Sequence, residues 1–429
     1  MIKLIRDLFV NKDTRNRILF TLGIFFIYRL GAAIPAPMVN AEALLAGLGD
    51  DDFLGMINLL GGGALQEFSV FAMGIGPYIT SSIIIQLLAM DVIPALSELA
   101  KSGAQGKMKM DRITRYLTLG LAFIQSFTMT YAFDISYGIL NNASMATYLY
   151  VATVLTAGTM FLIWLGDRIS AHGIGNGISM IIFAGITANI PFRFSQAFQT
   201  LVDTSSGAAI FSGVLNYSLF VLMYLAIIVL VIFMQTAVRK IPIQYTSSGA
   251  RKAKQEITYL PLKINSASVI PVIFASAVMT APVTVLSFFE QGTFYNTLSQ
   301  IFNLTQPLGL TIYVGLIIFF TFFYTNMQID PSKISENLGK SGTYIPGIRP
   351  GTETKEYVFK VLNRITVLGA IFLAFIAALP FVLPMISNLP SSVSVGGTGI
   401  IIVVGVAMET MKDLQGRLTQ KQYRGFVRR

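Results

Sequence analysis

The chain has 429 residues, of which 54% are hydrophobic and only 12% charged, against roughly a quarter charged in a soluble domain. That composition excludes an ordinary two- or three-domain soluble protein, and the absence of cysteine excludes a disulfide framework and thiol chemistry. The net charge of +10 sits beside apolar runs, so it points to anionic lipid and to protein partners on one membrane face rather than to DNA.

Met1 to Arg17 is charged and amphipathic, lacks a small-residue cleavage site and leads into many apolar runs. It is expected to lie along the inner membrane surface rather than to act as a cleavable signal. About 20 apolar residues cross a bilayer as a helix. Such runs occur at 18–37, 68–90, 113–134, 147–166, 174–191, 214–236, 266–289, 308–328, 361–384 and 393–411. Of the 31 Lys and Arg, 29 lie in the two ends and alternate loops. The opposite loops hold only Arg193, and Arg29 lies inside the first run. Cytoplasmic loops are rich in Lys and Arg, so both termini are expected to face the cytoplasm.

The expected fold class is an all-α polytopic membrane protein with ten transmembrane helices. Five runs fall in an N-terminal half, 1–191, and five in a C-terminal half, 214–429, joined by an external loop at 192–213. The second half carries cytoplasmic loops at 237–265 and 329–360 and a cytoplasmic tail. Two halves of five spans insert in opposite senses, which is the arithmetic of an inverted repeat with a site between its halves. The repeat rests on the count alone.

Three segments depart from the pattern. Phe53 to Leu65 is apolar, too short to cross, and closed by Gly61, Gly62 and Gly63. It reads either as a segment re-entering the protein interior or as an external interfacial helix. Gly74-Ile75-Gly76-Pro77 interrupts the second run, as a simple kink or as a break beside a cavity. In the fifth run, glycines at 173, 175 and 177 leave only Ile178 to Ile190 continuously helix-friendly.

Much chemistry is missing. Asp91, Asp134, Asp167 and Glu409 stand at span ends, and the one histidine, His172, reads as a loop residue. Ion-coupled transporters usually carry acidic or His relays within the membrane, which disfavours a secondary solute transporter. Gly47-Leu48-Gly49-Asp50 spells a short intramembrane-protease motif, but it lies outside any run and has no second membrane Asp. No zinc-protease motif, serine–histidine pair or phosphate loop is present, so no enzymatic activity and no cofactor are expected. Gln86, Asn176 and Asn265 each need a partner in hydrocarbon and read as glue between helices. Arg29 reads as structural.

The ordered motifs resemble those of the SecY/Sec61-alpha family, the channel subunits of protein translocases. Gly62-Gly63-Ala64-Leu65, Gly74-Ile75-Gly76-Pro77-Tyr78-Ile79 and Ile83-Ile84-Ile85-Gln86-Leu87-Leu88 are similar to the family's plug and second span. Asp111 to Tyr116 resembles the start of its third span, and Gly173-Ile174-Gly175-Asn176-Gly177-Ile178-Ser179 its fifth. Leu260-Pro261-Leu262-Lys263 with Val269-Ile270-Pro271 resembles its seventh, and Gly396-Gly397-Thr398 opens its tenth. Pro346-Gly347-Ile348-Arg349-Pro350-Gly351 resembles the loop between its eighth and ninth. In the loop after the sixth span, Tyr245 to Gly249 stands where the family is more basic.

The resemblance implies a central pore between the halves, with Ile75, Ile79, Ile182, Ile186, Ile273 and Ile402 as its ring. Taken singly, each isoleucine reads as a lipid-facing or core residue. The plug would comprise Phe53, Met56, Ile57, Asn58, Leu59, Leu60, Gly61, Gly62, Gly63, Ala64 and Leu65. Thr80, Gln86 and Asn265 would lie at a lateral gate, and Arg251, Lys252, Lys254 and Arg349 would bind partners. The implied partners are SecE and SecG subunits, the SecA motor ATPase, the ribosome, signal sequences and unfolded preproteins. The implied location is the bacterial cytoplasmic membrane.

Overall fold

Backbone groups in hydrocarbon have no water to bond, so long apolar stretches close their hydrogen bonds internally as helices. A computed structural model of the chain describes residues 10–40, 64–65, 67–90, 92–202, 207–245, 258–286, 293–304, 306–386 and 397–427. Ten of its helices lie at the ten expected spans. They are α1 (Lys12–Ala32), α2 (Gly76–Leu88), α4 (Gly103–Tyr137), α5 (Met145–His172) and α6 (Gly177–Leu201) in the first half. In the second they are α7 (Gly207–Thr236), α8 (Ile270–Leu286), α10 (Pro307–Gln328), α12 (Thr352–Ile386) and α13 (Gly397–Val427). Short helices α3 (Pro94–Lys101), α9 (Thr293–Phe302) and α11 (Pro331–Lys340) lie between them.

Among the described residues, five stretches are long and apolar enough to cross a membrane on length and composition: Met145–His172, Gly177–Leu201, Ile210–Thr236, Pro307–Lys340 and Thr352–Val382. Gly76–Leu88 and Ile270–Met279 are shorter apolar helices. Several helices outrun their apolar cores. α4 begins ten residues before its expected span, and α13 continues to Val427, because Lys, Arg, Gln and Met are good helix formers once the chain leaves the apolar zone.

α6 departs most from the sequence reading. It does not stop at Ile190 but passes through Pro191 and continues to Leu201. Aromatic packing sustains it: Phe194 meets Tyr224 at 5.0 Å between ring centroids, and Phe198 meets Tyr217 at 5.2 Å. Both partners are on α7, so the beginning of the expected 192–213 loop is helical and packed.

The segments read as cytoplasmic loops also hold structure. β1 (Val238–Tyr245) pairs antiparallel with β2 (Thr258–Lys263), from Val238 opposite Lys263 to Ile243 opposite Thr258. It also pairs with β3 (Thr343–Tyr344), giving strand order β2-β1-β3. Along β1 the side chains alternate, with Ile241 and Ile243 buried and Lys240, Pro242 and Gln244 exposed. The buried pair joins Leu262, Leu338, Ile345, Val358, Leu362 and Ile365 in a separate small core.

The main core runs through both halves. α2 packs on α4 and α8, α8 on α10, α10 on α12, and α13 on α6, α7 and α12. A third cluster, including Ala36, Leu65, Phe68, Ile139 and Leu140, binds the exits of α1 and α4 to the entry of α2.

Candidate functional site

Four helices carry the six isoleucines: α2, α6, α8 and α13. The break expected in the second run is a helix start. Pro77 occupies the first turn of α2, where a missing N–H costs nothing. Ile75 is the N-cap, and its carbonyl accepts from Ile79 N–H at 3.1 Å. Four residues apart at a helix entry, the two side chains share a face. α6 starts equally abruptly. Asn176 caps it, its Oδ1 accepting from Ile178 N–H at 3.1 Å and Ser179 N–H at 3.4 Å. Asn176 is thus a cap and not interhelical glue. Ile182 and Ile186 follow one turn apart. Ile273 lies in the first turn of α8, its N–H donating to Val269 O at 3.3 Å, and Ile402 lies on α13.

All six belong to one contiguous apolar cluster. Ile75, Ile182, Ile186 and Ile402 are buried in it, while Ile79 and Ile273 pack against it partly exposed. Isoleucine offers no hydrogen bond to water or to a passing solute, so a constriction of such side chains can dewet and still yield around an apolar or polar chain.

Of the expected plug, only Ala64 and Leu65 are described. Both are buried, with Ala64 O accepting from Ser69 N–H at 2.9 Å and Leu65 O from Phe68 N–H at 3.0 Å. Phe53, Met56, Ile57, Asn58, Leu59, Leu60, Gly61, Gly62 and Gly63 lie outside the described residues, as do Arg251, Lys252 and Lys254.

The expected gate residues bond locally. Thr80 donates to Gly76 O at 3.2 Å and Gln86 to Ser82 Oγ at 2.9 Å, both within α2. Asn265 donates to Ser268 O at 3.1 Å within its own loop. Gln86 Oε1 and Asn265 Oδ1 are buried without a partner.

Arg349 is displayed by a tied loop. Gly347 and Gly351 take φ of +82° and +104°, where a Cβ would be strained. Thr354 Oγ1 donates to Arg349 O at 2.9 Å, and Ser335 Oγ to Gly351 O at 2.7 Å. The guanidinium itself is 87% exposed and lies 3.8 Å from Glu353.

Several further contacts, some between distant segments and some within one turn, escape sequence reasoning. Arg17 Nη1 donates to Ala171 O and Gly173 O, each at 3.4 Å, and so caps the end of α5. Arg115 pairs with Asp167 at 2.9 Å between α4 and α5. Arg168 lies 5.1 Å over the ring of Trp164. Asp134 Oδ1 accepts from Leu140 N–H at 2.9 Å and its Oδ2 from the Tyr148 hydroxyl, closing the α4–α5 turn. His172 faces the ring of Phe20 at 5.9 Å. Among the described residues no group of three His, Cys, Asp or Glu stands close enough to hold a metal ion.

These features define a multi-pass helical membrane protein with an apolar core continuous through both halves. Residues 69–411 match the SecY family model, and the chain belongs to the SecY family. It is 47% identical over 433 residues to the protein translocase subunit SecY of Bacillus licheniformis, covering all of both chains. It is also 47% identical to that of Staphylococcus aureus strain NCTC 8325, covering 99% of each. Among solved structures it resembles one described as a protein conducting channel, with a TM-score of 0.64 at 17% identity over 94% of this chain and 92% of the other. It also resembles Sec61 in the canine ribosome-channel complex from the endoplasmic reticulum, with a TM-score of 0.60 at 16% identity and the same coverage. These likenesses establish the channel fold. The family is one of translocase subunits, not of enzymes.

Proposed function

We propose that this chain is the central subunit of a channel that moves unfolded secretory proteins across the cytoplasmic membrane and passes membrane proteins sideways into it. The observation that supports the reading is that Ile75, Ile79, Ile182, Ile186, Ile273 and Ile402, from four helices of both halves, all pack in the one apolar core that runs through those halves. Its sequence context is full-length similarity to protein translocase subunits SecY.

In this reading the two halves, 1–191 and 214–429, are inverted and flank the pore, and both termini are cytoplasmic. The isoleucine ring holds back ions by dewetting and closes around a passing polypeptide without offering it a fixed partner. Segment 53–65 is the plug, and the burial of Ala64 and Leu65 supports a fixed anchor at its end. Thr80, Gln86 and Asn265 line a lateral gate where α2 packs on α8. Neutral polar contacts in membranes contribute roughly 0.6 kcal/mol each, which suits a seam that must part. The unpartnered Gln86 Oε1 and Asn265 Oδ1 support that role, because each stands to gain a bond when the seam rearranges.

Arg349, with Arg251, Lys252 and Lys254, contacts the SecA motor ATPase or a ribosome. SecE and SecG complete the translocase, and signal sequences, unfolded preproteins and anionic lipid are its other partners. Energy comes from those partners, since the chain has no phosphate loop.

The test is transport into sealed lipid vesicles by the chain purified with its native partner subunits. A signal-bearing preprotein supplied with motor and ATP should become protected from added protease. Uptake of small solutes with no protection of polypeptide would instead support a secondary transporter.

A further inference from the structure

α13 meets α6 across the two halves, and Thr410 lies in that meeting. Buried threonines in this protein commonly donate to the carbonyl four residues back, as Thr118, Thr156, Thr321 and Thr366 do. Thr410 does not follow them. Its hydroxyl donates to Met180 Sδ of α6 at 3.4 Å, and both side chains are buried.

The same threonine closes over the turn that enters α6. Gly175 is left-handed there, with φ of +67°, and a Cβ on it would stand 2.9 Å from Thr410 Oγ1. The turn is held from two further directions. Ile174 N–H donates to Thr21 Oγ1 of α1 at 3.2 Å, and Gly177 N–H donates to Ser170 Oγ of α5 at 2.9 Å. The entry of α6 is therefore fixed by α1, α5 and α13 together.

These contacts lie close in sequence to the isoleucine cluster. Met180 precedes Ile182 by two residues and belongs to the same cluster. Thr410 follows Ile402 by about two helical turns, so both lie on one side of α13. The same helix also fits the entry of α8. A Cβ on Gly405 would stand 2.8 Å from Val269 Cγ1, and Val269 O accepts from Ile273 N–H at 3.3 Å. One helix thus gauges the positions of isoleucines on two others. The α2–α8 seam differs, since Thr80 and Gln86 bond within α2 and Asn265 within its own loop.

We propose that Thr410 is a positioning residue of the constriction: with Met180 and Gly175 it latches α13 to α6, sets Ile182 and Ile186 against Ile402, and stays closed while a polypeptide passes. The proposal rests on the channel reading above. The bond to sulfur is weak by itself, and the latch works because shape and bond coincide in a buried site.

The test uses the assembled complex in lipid vesicles. Thr410→Val keeps the shape and removes the donor, while Thr410→Ser keeps the donor. Loss of a hydrogen bond at the weak end of the usual range shifts a two-state equilibrium by about twofold. Thr410→Val is expected to raise resting ion conductance, and transport of a preprotein with a defective signal, by about that factor. Thr410→Ser is expected to stay closer to the parent values than Thr410→Val. Because the chain has no cysteine, the double variant M180C/T410C can be joined uniquely by a short bis-methanethiosulfonate linker. Linkage is expected to form and to leave transport at the unlinked rate.

Parent conductance and signal selection in Thr410→Val would overturn the latch. So would a linked pair that blocks transport. A parent complex that neither conducts nor translocates would count against the channel reading instead.

Discussion

Ile79 and Ile273 are the two ring positions left partly exposed, so substitutions there report on the constriction with least damage to packing. Asparagine brings an amide that holds water where isoleucine holds none. Replacing both with Asn is expected to raise ion conductance at rest and to admit preproteins with weakened signals. Replacing both with Leu keeps volume and polarity and is expected to change little. Indistinguishable conductance from the two double variants would argue against a pore position. The proposed ring comes from the motifs alone. An isoleucine in an apolar run looks the same whether it faces lipid, core or pore, and periodicity adds only that Ile75 and Ile79, or Ile182 and Ile186, share a face. The latch at Thr410 was not legible at all, because Met180 lies 230 residues away in the chain. Asn176 was misread for a related reason. Its cap on Ile178 and Ser179 is local, whereas an amide counted inside a span suggests a partner on another helix.

Among elements, the spans were legible and the connecting structure was not. Twenty apolar residues in a row admit few other readings, and a helix lies at each of the ten runs. The strands escaped because only Ile241 and Ile243 of β1 are buried, and its partners begin at Thr258 and Thr343. The extension of α6 past Pro191 escaped because its support comes from α7.

The tied loop that carries Arg349 makes a prediction at this scale. Its carbonyls are pinned by Thr354 and Ser335, and the guanidinium stands in water. A loop held in one shape can present a planar fork that lysine does not copy. Arg349→Lys is therefore expected to slow motor-driven transport, and Arg349→Glu nearly to abolish it, with the amount of inserted protein unchanged in both. The stability cost should be small, because an exposed ion pair such as that with Glu353 contributes about 0–1 kcal/mol. Full transport by Arg349→Glu would leave Arg349 as one more cation on a basic face.

For the whole molecule, the claim is that two helical halves enclose a path for polypeptide along the isoleucine cluster. The main core is continuous through both halves, while Leu222 on α7 and Phe375 on α12 are 65% and 59% exposed. Inner and outer surfaces can therefore be told apart by chemistry, and the absence of native cysteine makes single-site probes clean. The most direct measurement stalls a preprotein in mid-transfer with one cysteine in its translocating stretch. It is then oxidised against channels carrying one cysteine each at Ile79, Ile186, Ile273, Ile402, Leu222 or Phe375. The account predicts disulfide adducts at the four isoleucine positions and none at Leu222 or Phe375. Adducts at Leu222 or Phe375 with none at the isoleucines would contradict it.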